Sequence, residues 1–223
     1  MKRVVVVGGG FGGLAAAAEL ARSGLQVSVL EAQVYPGGCA STYFHQGYQF
    51  ESGATLAGGF ASGAPLDLIG RRFEIDWRSR PAGRAMTVHL PGHDPITRWS
   101  DPGDWRNERL AHFGRQAEPF WEWQESTADN LWQFALRTPP WPPQTFNDLG
   151  ILSRISINWL DSLRRNSPAR KIRSLALDAF QPVSAHIPDS HELLRQYLDG
   201  QLLISAQTTS HLANALYGAA ALD

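Results

Sequence analysis

The residues whose types and spacing point most directly to chemistry are Gly8-Gly9-Gly10-Phe11-Gly12-Gly13 and Glu31. Gly8, Gly10 and Gly13 fit the spacing G-x-G-x-x-G. A loop of that kind lets backbone approach a pyrophosphate closely, and a helix starting there offers free N–H groups and a partial positive charge to it. Glu31 falls where a carboxylate accepts hydrogen bonds from both ribose hydroxyls. An acid at this position favours a free 2′-hydroxyl and repels a 2′-phosphate, so FAD or NAD fits and NADP does not.

These residues need three elements to position them, and the sequence supplies all three. Val4-Val5-Val6-Val7 is a β-branched run that reads as a strand buried on both faces. Leu14 to Arg22 is built of good helix formers and stops at Ser23-Gly24. Gln26-Val27-Ser28-Val29-Leu30 is a second strand that ends on Glu31. In this βαβ unit Gly8 serves the turn out of the strand, Gly10 the close approach of backbone, and Gly13 the packing of helix on sheet. A glycine spacing alone is weak evidence; in this context the motif is specific. The competing reading of Met1 to Ala18 as a signal peptide fails. Five of the six residues from 8 to 13 are glycine, and the run continues into Glu19 and a second strand.

Composition narrows the class. At 223 residues, 43% hydrophobic and 18% charged, the chain can bury a core and is not a disordered segment. The net charge of −1 argues against nucleic acid as the main partner. Cys39 is the only cysteine, which excludes an internal disulfide and fits a reducing, cytoplasmic compartment. No apolar run approaches the length of a membrane span. Eight tryptophans and fourteen prolines point to a large apolar region with many forced turns.

Beyond Glu31, Pro36-Gly37-Gly38 offers a second place where backbone can lie close to a ligand. Tyr43-Phe44-His45 and Tyr48-Gln49-Phe50 read as a hairpin around Gln46-Gly47. Residues 51–59 form a Gly-rich loop. A short helix is expected over 65–73 and a second hairpin from Met86–Leu90 and Ile96–Trp99. Leu110, Phe113, Ala117, Phe120, Ala128, Leu131 and Ala135 recur at helical spacing, with Pro119 expected to kink or split the helix. Further helices are expected over 148–165, 168–180, 190–204 and 206–221. The resulting fold class is α/β: an incomplete Rossmann-like βαβ unit over 1–64, then a mainly helical α+β region over 65–223 with short strands near 84–100. A doubly wound domain needs more than two parallel strands, and none is read after Glu31. The sequence therefore has the look of a truncated chain.

The order of the glycine fingerprint, Glu31, Gly37-Gly38 and Gly47-Tyr48-Gln49-Phe50-Glu51-Ser52-Gly53 resembles the N-terminal half of the phytoene desaturase and carotenoid isomerase family, within the FAD-dependent amine oxidase superfamily. Leu198–Ser205 and Asn214–Gly218 are similar to its helical substrate region. The resemblance implies FAD as cofactor. Gly8, Gly9, Gly10, Phe11, Gly12 and Gly13 would surround its pyrophosphate, Glu31 and Ala32 would meet the adenosine ribose, and Gly37 and Gly38 would pass the phosphates and ribityl. Gly53, Ala54 and Thr55 would lie near the flavin ring. It further implies an oxidoreductase acting on an apolar isoprenoid, a carotenoid precursor, by hydride transfer that forms a C=C bond, or by flavin-assisted cis–trans isomerisation. Peripheral contact with the inner face of a membrane goes with such a substrate. Cys39 departs from the arginine that many members carry after the glycine doublet, and Glu51 replaces a more usual aspartate. Two alternatives stay open: a catalytically incomplete dinucleotide-binding fragment, and an amine oxidase acting on a polar amine.

The remaining candidates carry less. No catalytic acid or base stands out, and no metal is expected. His89 and His93 flank Pro91-Gly92, which forbids a helix between them; His186 and His191 flank Pro188. Cys39 reads as a small filler, since nothing nearby activates a thiol. Trp121, Trp123, Trp132, Trp141 and Trp159 read mostly as helix packing, with a polyene tunnel as the sharper alternative. Arg154, Arg164, Arg165, Arg170, Lys171 and Arg173 read as a solvated helix face, with a contact to anionic lipid as the alternative.

Overall fold

The computed structural model describes residues 2–53, 56–140, 142–166 and 175–223. The chain divides into two compact units, Met1–Arg80 and Pro81–Asp223.

In the first unit, β1 (Arg3–Val7) pairs in parallel with β2 (Gln26–Leu30), Val5 opposite Ser28. Helix α1 (Phe11–Arg22) makes the crossover. It ends as its sequence requires: Gly24 takes a φ of +80°, its N–H reaches Ala21 O at 3.0 Å, and Leu25 N–H reaches Leu20 O at 3.3 Å. This paired closure satisfies carbonyls that the helix end would otherwise leave without partners. Strands β3 (Thr42–His45) and β4 (Tyr48–Glu51) form the expected hairpin. Gln46 and Gly47 both take positive φ, the backbone a two-residue hairpin turn of matching twist demands. Helix α2 (Pro65–Phe73) follows, with an Arg72–Glu19 ion pair joining it to α1. That tie, and the Trp77 indole donating to Leu66 O at 3.0 Å, carry the unit past residue 64 to Arg80.

One expectation fails here. The β1 strand is not covered on both faces: Val4 and Val6 are half-buried, whereas Val5 is 58% and Val7 83% exposed. Among the described residues the parallel sheet has two strands, so α1 covers one face and nothing covers the other.

The second unit opens with β5 (Arg84–Val88) antiparallel to β6 (Ile96–Trp99). Asp101 caps α3 (Pro102–Phe113) by accepting from Gly103 and Asp104 N–H at 2.8 and 2.9 Å. The expected break near Pro119 occurs. Chain direction changes over Gly114–Ala117, and Pro119 sits in the first turn of α4 (Glu118–Ala135), where its lacking N–H costs nothing. Helix α5 spans Phe146–Asn166. Of the helix expected over 168–180, positions 168–174 lie outside the described residues and 175–178 are helical. Helix α6 runs Glu192–Ala206.

The last helix is shorter than expected. It is α7 (Ala215–Ala221), not 206–221, because Asn214 caps it by accepting from Leu216 N–H at 3.0 Å. Ser210 N–H is drawn off to Asp199 at 2.6 Å, which holds the preceding residues in a turn. The core of this unit gathers Ile96, Trp105, Phe113, Phe120, Trp121, Val183, Leu194, Tyr197, Leu198 and Leu202.

Candidate functional site

The glycine fingerprint sits at the C-terminal end of β1, where a sheet of this type presents its ligands. Gly8 takes a φ of +100°, and its N–H extends the ladder to Leu30 O at 2.7 Å. A Cβ on Gly13 would fall inside contact with the Gly8 carbonyl oxygen and 3.1 Å from its carbon. This is the close helix–strand packing expected of the third glycine. Gly10 is the N-cap of α1, and no side chain caps that end. No acidic residue stands in the first turn. The first-turn N–H groups have no partner within a helix by geometry, so this terminus suits an anion.

The structure brings the second glycine loop onto the first. Gly37 N–H donates to Gly9 O at 2.7 Å, and Gly10 and Gly37 form a parallel bridge. A Cβ on Gly38 would lie 3.2 Å from the Gly10 Cα, and Gly37 has a φ of +119°. The backbone that approaches Gly10 here is therefore that of Gly37-Gly38. Gly53 joins the cluster from the end of the hairpin: its Cβ would stand 3.1 Å from Cys39 O, and Ser52 N–H donates to Ser41 O at 2.8 Å. Ala54 and Thr55 lie outside the described residues. Cys39 is exposed.

Glu31 has a role that spacing alone did not reveal. Its carboxylate accepts from Gly9 N–H at 2.5 Å and from Gln33 N–H at 2.9 Å. Those backbone hydrogen bonds, from Gln33 first, then Gly9 and Ala32, hold its carboxyl below the usual carboxylate value against a smaller opposing effect of burial. The carboxylate is thus fixed over the fingerprint in its charged form, as an acceptor for hydroxyls must be. A Cβ at Gly9 would stand 2.9 Å from the carboxylate oxygen, so the middle glycine leaves room for the acid.

Of the other candidates, Trp121, Trp123 and Trp159 are engaged within the fold. Trp121 is buried in the core beside Trp105 and Phe120. Trp123 stacks on His186 with centroids 3.7 Å apart and donates to Asp178 at 2.9 Å. Asp178 also lies 3.1 Å from His186, whose pKa burial pushes down against that carboxylate. Trp159 donates to Asn130 O at 3.1 Å, and Trp132 is partly exposed. Trp141 lies outside the described residues, as do Arg170, Lys171, Arg173 and the side chains of Arg164 and Arg165. Among the described residues no helix is long and apolar enough to cross a membrane, and no group of His, Cys, Asp and Glu gathers as metal ligands.

Residues 6–67 match the family model of an NAD(P)-binding Rossmann-like domain. This segment is a Rossmann-like dinucleotide-binding fold. The chain is also similar to prolycopene isomerase 2, chloroplastic, of an Oncidium hybrid cultivar, at 38% identity over 87 residues, 39% of this chain and 15% of that protein. Human all-trans-retinol 13,14-reductase is 48% identical over 78 residues, 33% of this chain and 13% of the relative. The lycopene-forming phytoene desaturase of Pseudescherichia vulneris is 43% identical over 75 residues, 33% and 15%. The chain thus spans a small part of the length of the curated relatives it matches. The resemblance to the phytoene desaturase and carotenoid isomerase family is borne out by these relatives.

Proposed function

We propose that this chain contributes the dinucleotide-binding part of an FAD-dependent oxidoreductase that acts on a long apolar isoprenoid of the carotenoid-precursor kind. The observation that carries this reading is the convergence of an uncapped α1 N-terminus, the docked Gly37-Gly38 turn and a carboxylate fixed over Gly9. The residues present fit FAD. The α1 N-terminus and the backbone of Gly8–Gly13 would hold the pyrophosphate, Glu31 and Ala32 would meet the adenosine ribose, and Gly37, Gly38 and Gly53 would line the remainder. Ala54 and Thr55 complete the proposed set. FAD, when bound, supplies a hydride acceptor for a substrate C–H, or assists isomerisation without net oxidation. The chain's own residues bind and orient it; they act as cofactor ligands, and the redox chemistry is the cofactor's. The isoprenoid substrate is supported by the similarity to a prolycopene isomerase, a retinol reductase and a phytoene desaturase, and a peripheral contact with the inner face of a membrane, from the cytoplasm, accompanies it.

A second reading, a dinucleotide-binding segment without turnover of its own, is favoured by the two-stranded sheet and the exposure of Val5 and Val7. One experiment separates the two. The 223-residue chain is mixed with FAD, freed of excess, and its visible spectrum recorded, then assayed with a carotenoid precursor. Retained, shifted flavin absorbance with turnover supports the first reading, and retention without turnover the second. An apo product refutes FAD binding by this chain.

A further inference from the structure

We infer that segment 178–191 is a proton-sensitive strap on the second unit, fastened to α4 by a neutral His186 and loosened at that point when the imidazole takes a second proton. His186 closes the short turn Val183–His186. Its ring lies flat on the indole of Trp123 in α4, with centroids 3.7 Å apart and planes 9° from parallel. Its Nε2 is buried and stands 3.1 Å from Asp178 Oδ1. The other Asp178 oxygen accepts from Trp123 Nε1 at 2.9 Å, and the aspartate is 2% exposed. One buried carboxylate thus meets both stacked rings and joins α4 to a segment 55 positions away. Other fastenings of the strap run elsewhere. Val183 N–H donates to Ala213 O at 3.0 Å, Ser184 N–H to Ser210 O at 2.9 Å, and His191 Nε2 lies 2.7 Å from Phe113 O.

Opposing effects act on a second proton at His186, and their balance decides the outcome. The Asp178 carboxylate favours it, and so does the indole face beneath the ring. Burial opposes it, because the charge would be placed out of reach of water. Burial outweighs the carboxylate and holds the His186 pKa below its ordinary value of 6.5. The fastening is therefore complete above pH 6.5 and is lost as pH falls through the lowered folded value. Asp178 is the charged group that acts on the ring. On α4, Glu118 pairs with Arg106 and Glu125 with Arg109, while Glu122 and Asp129 are exposed. Asp189 on the strap and Tyr217 on α7 are exposed, and His211 lies 3.3 Å from Arg195. Once charged, the imidazole gains by turning off the indole into water. The change is local, since Val183 and Ile187, 0% and 4% exposed, anchor the strap in the core on both sides of His186. The inference does not rest on the proposed cofactor.

The 223-residue chain is titrated from about pH 8 to about pH 5, the range in which imidazoles change charge, with two readouts. The first is the ring-proton resonance of His186, displaced at neutral pH by the indole beneath it. The second is amide hydrogen exchange at 183–187, corrected for the intrinsic effect of pH, with the buried Leu198 of α6 as reference. The His186 resonance should titrate with a midpoint below 6.5 and lose its displacement in the same step. Protection at 183–187 should fall about fivefold through that step, the order set by loss of one stacked ring contact, while Leu198 stays unchanged. His186→Gln, which does not titrate, should abolish the step in exchange. Asp178→Asn removes the charge that favours the second proton and should move the step to lower pH. A midpoint at or above 6.5 overturns the inference, as does a step in the resonance without a fall in protection at 183–187. So does an equal loss at Leu198, which is acid unfolding of the unit rather than release of the strap. A step that persists in folded His186→Gln, or stays in place in folded Asp178→Asn, overturns it as well. If either variant fails to fold, the two readouts on the unsubstituted chain decide.

Discussion

Replacing Gly13 by alanine, against the same change at Gly12, tests the packing that positions the fingerprint. The two glycines are neighbours in the first turn of α1, yet their surroundings differ. A Cβ at Gly12 meets no heavy atom within 4 Å, while one at Gly13 falls onto the Gly8 carbonyl oxygen and lies 3.6 Å from Val6 Cγ1. Gly12→Ala therefore gains helix propensity and raises stability by about 0.5–1 kcal/mol. Gly13→Ala gains the same propensity, but it must push α1 off the β1 turn. The atom in its way is backbone, which cannot swing aside as a side chain would. Overpacking of this kind costs about 1–3 kcal/mol, and a backbone obstacle places it at the upper end, so the net loss is about 2 kcal/mol. The assay is native-state hydrogen exchange of peptides covering α1, which reads the stability of this unit separately from the second. Protection should fall by roughly 30-fold in Gly13→Ala, from 2 kcal/mol at 1.4 kcal/mol per decade, and rise in Gly12→Ala. Equal or increased protection in Gly13→Ala would refute the assignment of Gly13 to helix–strand packing.

Three further outcomes are expected. Glu31→Gln should speed amide exchange at Gly9 and weaken flavin retention. Because backbone hydrogen bonds lower the Glu31 pKa, its contribution is complete above the ordinary value of 4.5 and is lost as pH falls through the lowered folded value. Acid titration of exchange at Gly9 should show that step in the unsubstituted chain and not in Glu31→Gln. Arg109 is buried against Glu125 at 2.5 Å and over the Trp105 and Trp121 rings, while Glu125 is half exposed. Glu125→Ala strands a buried guanidinium and should cost about 3 kcal/mol in urea unfolding, whereas Arg109→Met leaves a carboxylate that water can solvate and should cost about 1 kcal/mol or less. Burial raises the Tyr197 phenol from 10.0 to about 12. The stability this represents is present in full below pH 10 and is lost as pH rises through the folded value. Ultraviolet titration should show one tyrosine ionising last, a feature abolished in Tyr197→Phe.

What was legible in the sequence was local. The fingerprint, the Ser23-Gly24 stop and the Gln46-Gly47 turn each depend on backbone conformations that a few adjacent residues impose. What was not legible depends on partners far along the chain. Periodicity gives the β-branched run Val4–Val7 as a strand but says nothing of what covers each face, and among the described residues Val5 and Val7 stay exposed. The Glu31–Gly9 hydrogen bond joins positions 22 apart, and the Gly37 bridge to Gly10 joins two loops that read as separate sites. The start of α7 was missed because alanines on either side of Asn214 kept the helical pattern while the cap and the Ser210–Asp199 bond broke it. In the second unit Trp105 and Trp121 lie in the core and Trp99 and Trp123 pack against it, a role that sequence spacing cannot separate from a ligand tunnel.

These features bear jointly on how binding and folding connect in the first unit. A two-stranded parallel sheet with one open face is a marginal structure by itself. Its fingerprint nonetheless holds an ionised carboxylate and an uncapped helix terminus close together, which is unfavourable to desolvate without a ligand that uses both. A dinucleotide supplies hydroxyls to the first and a pyrophosphate to the second. At a hundredfold excess over its Kd it would add about 2.7 kcal/mol to the folded state, comparable to the loss expected from Gly13→Ala. Ligand binding of that size would thus offset the whole of that loss. On this argument the proposed ligand functions as a structural member of the unit as well as its cofactor.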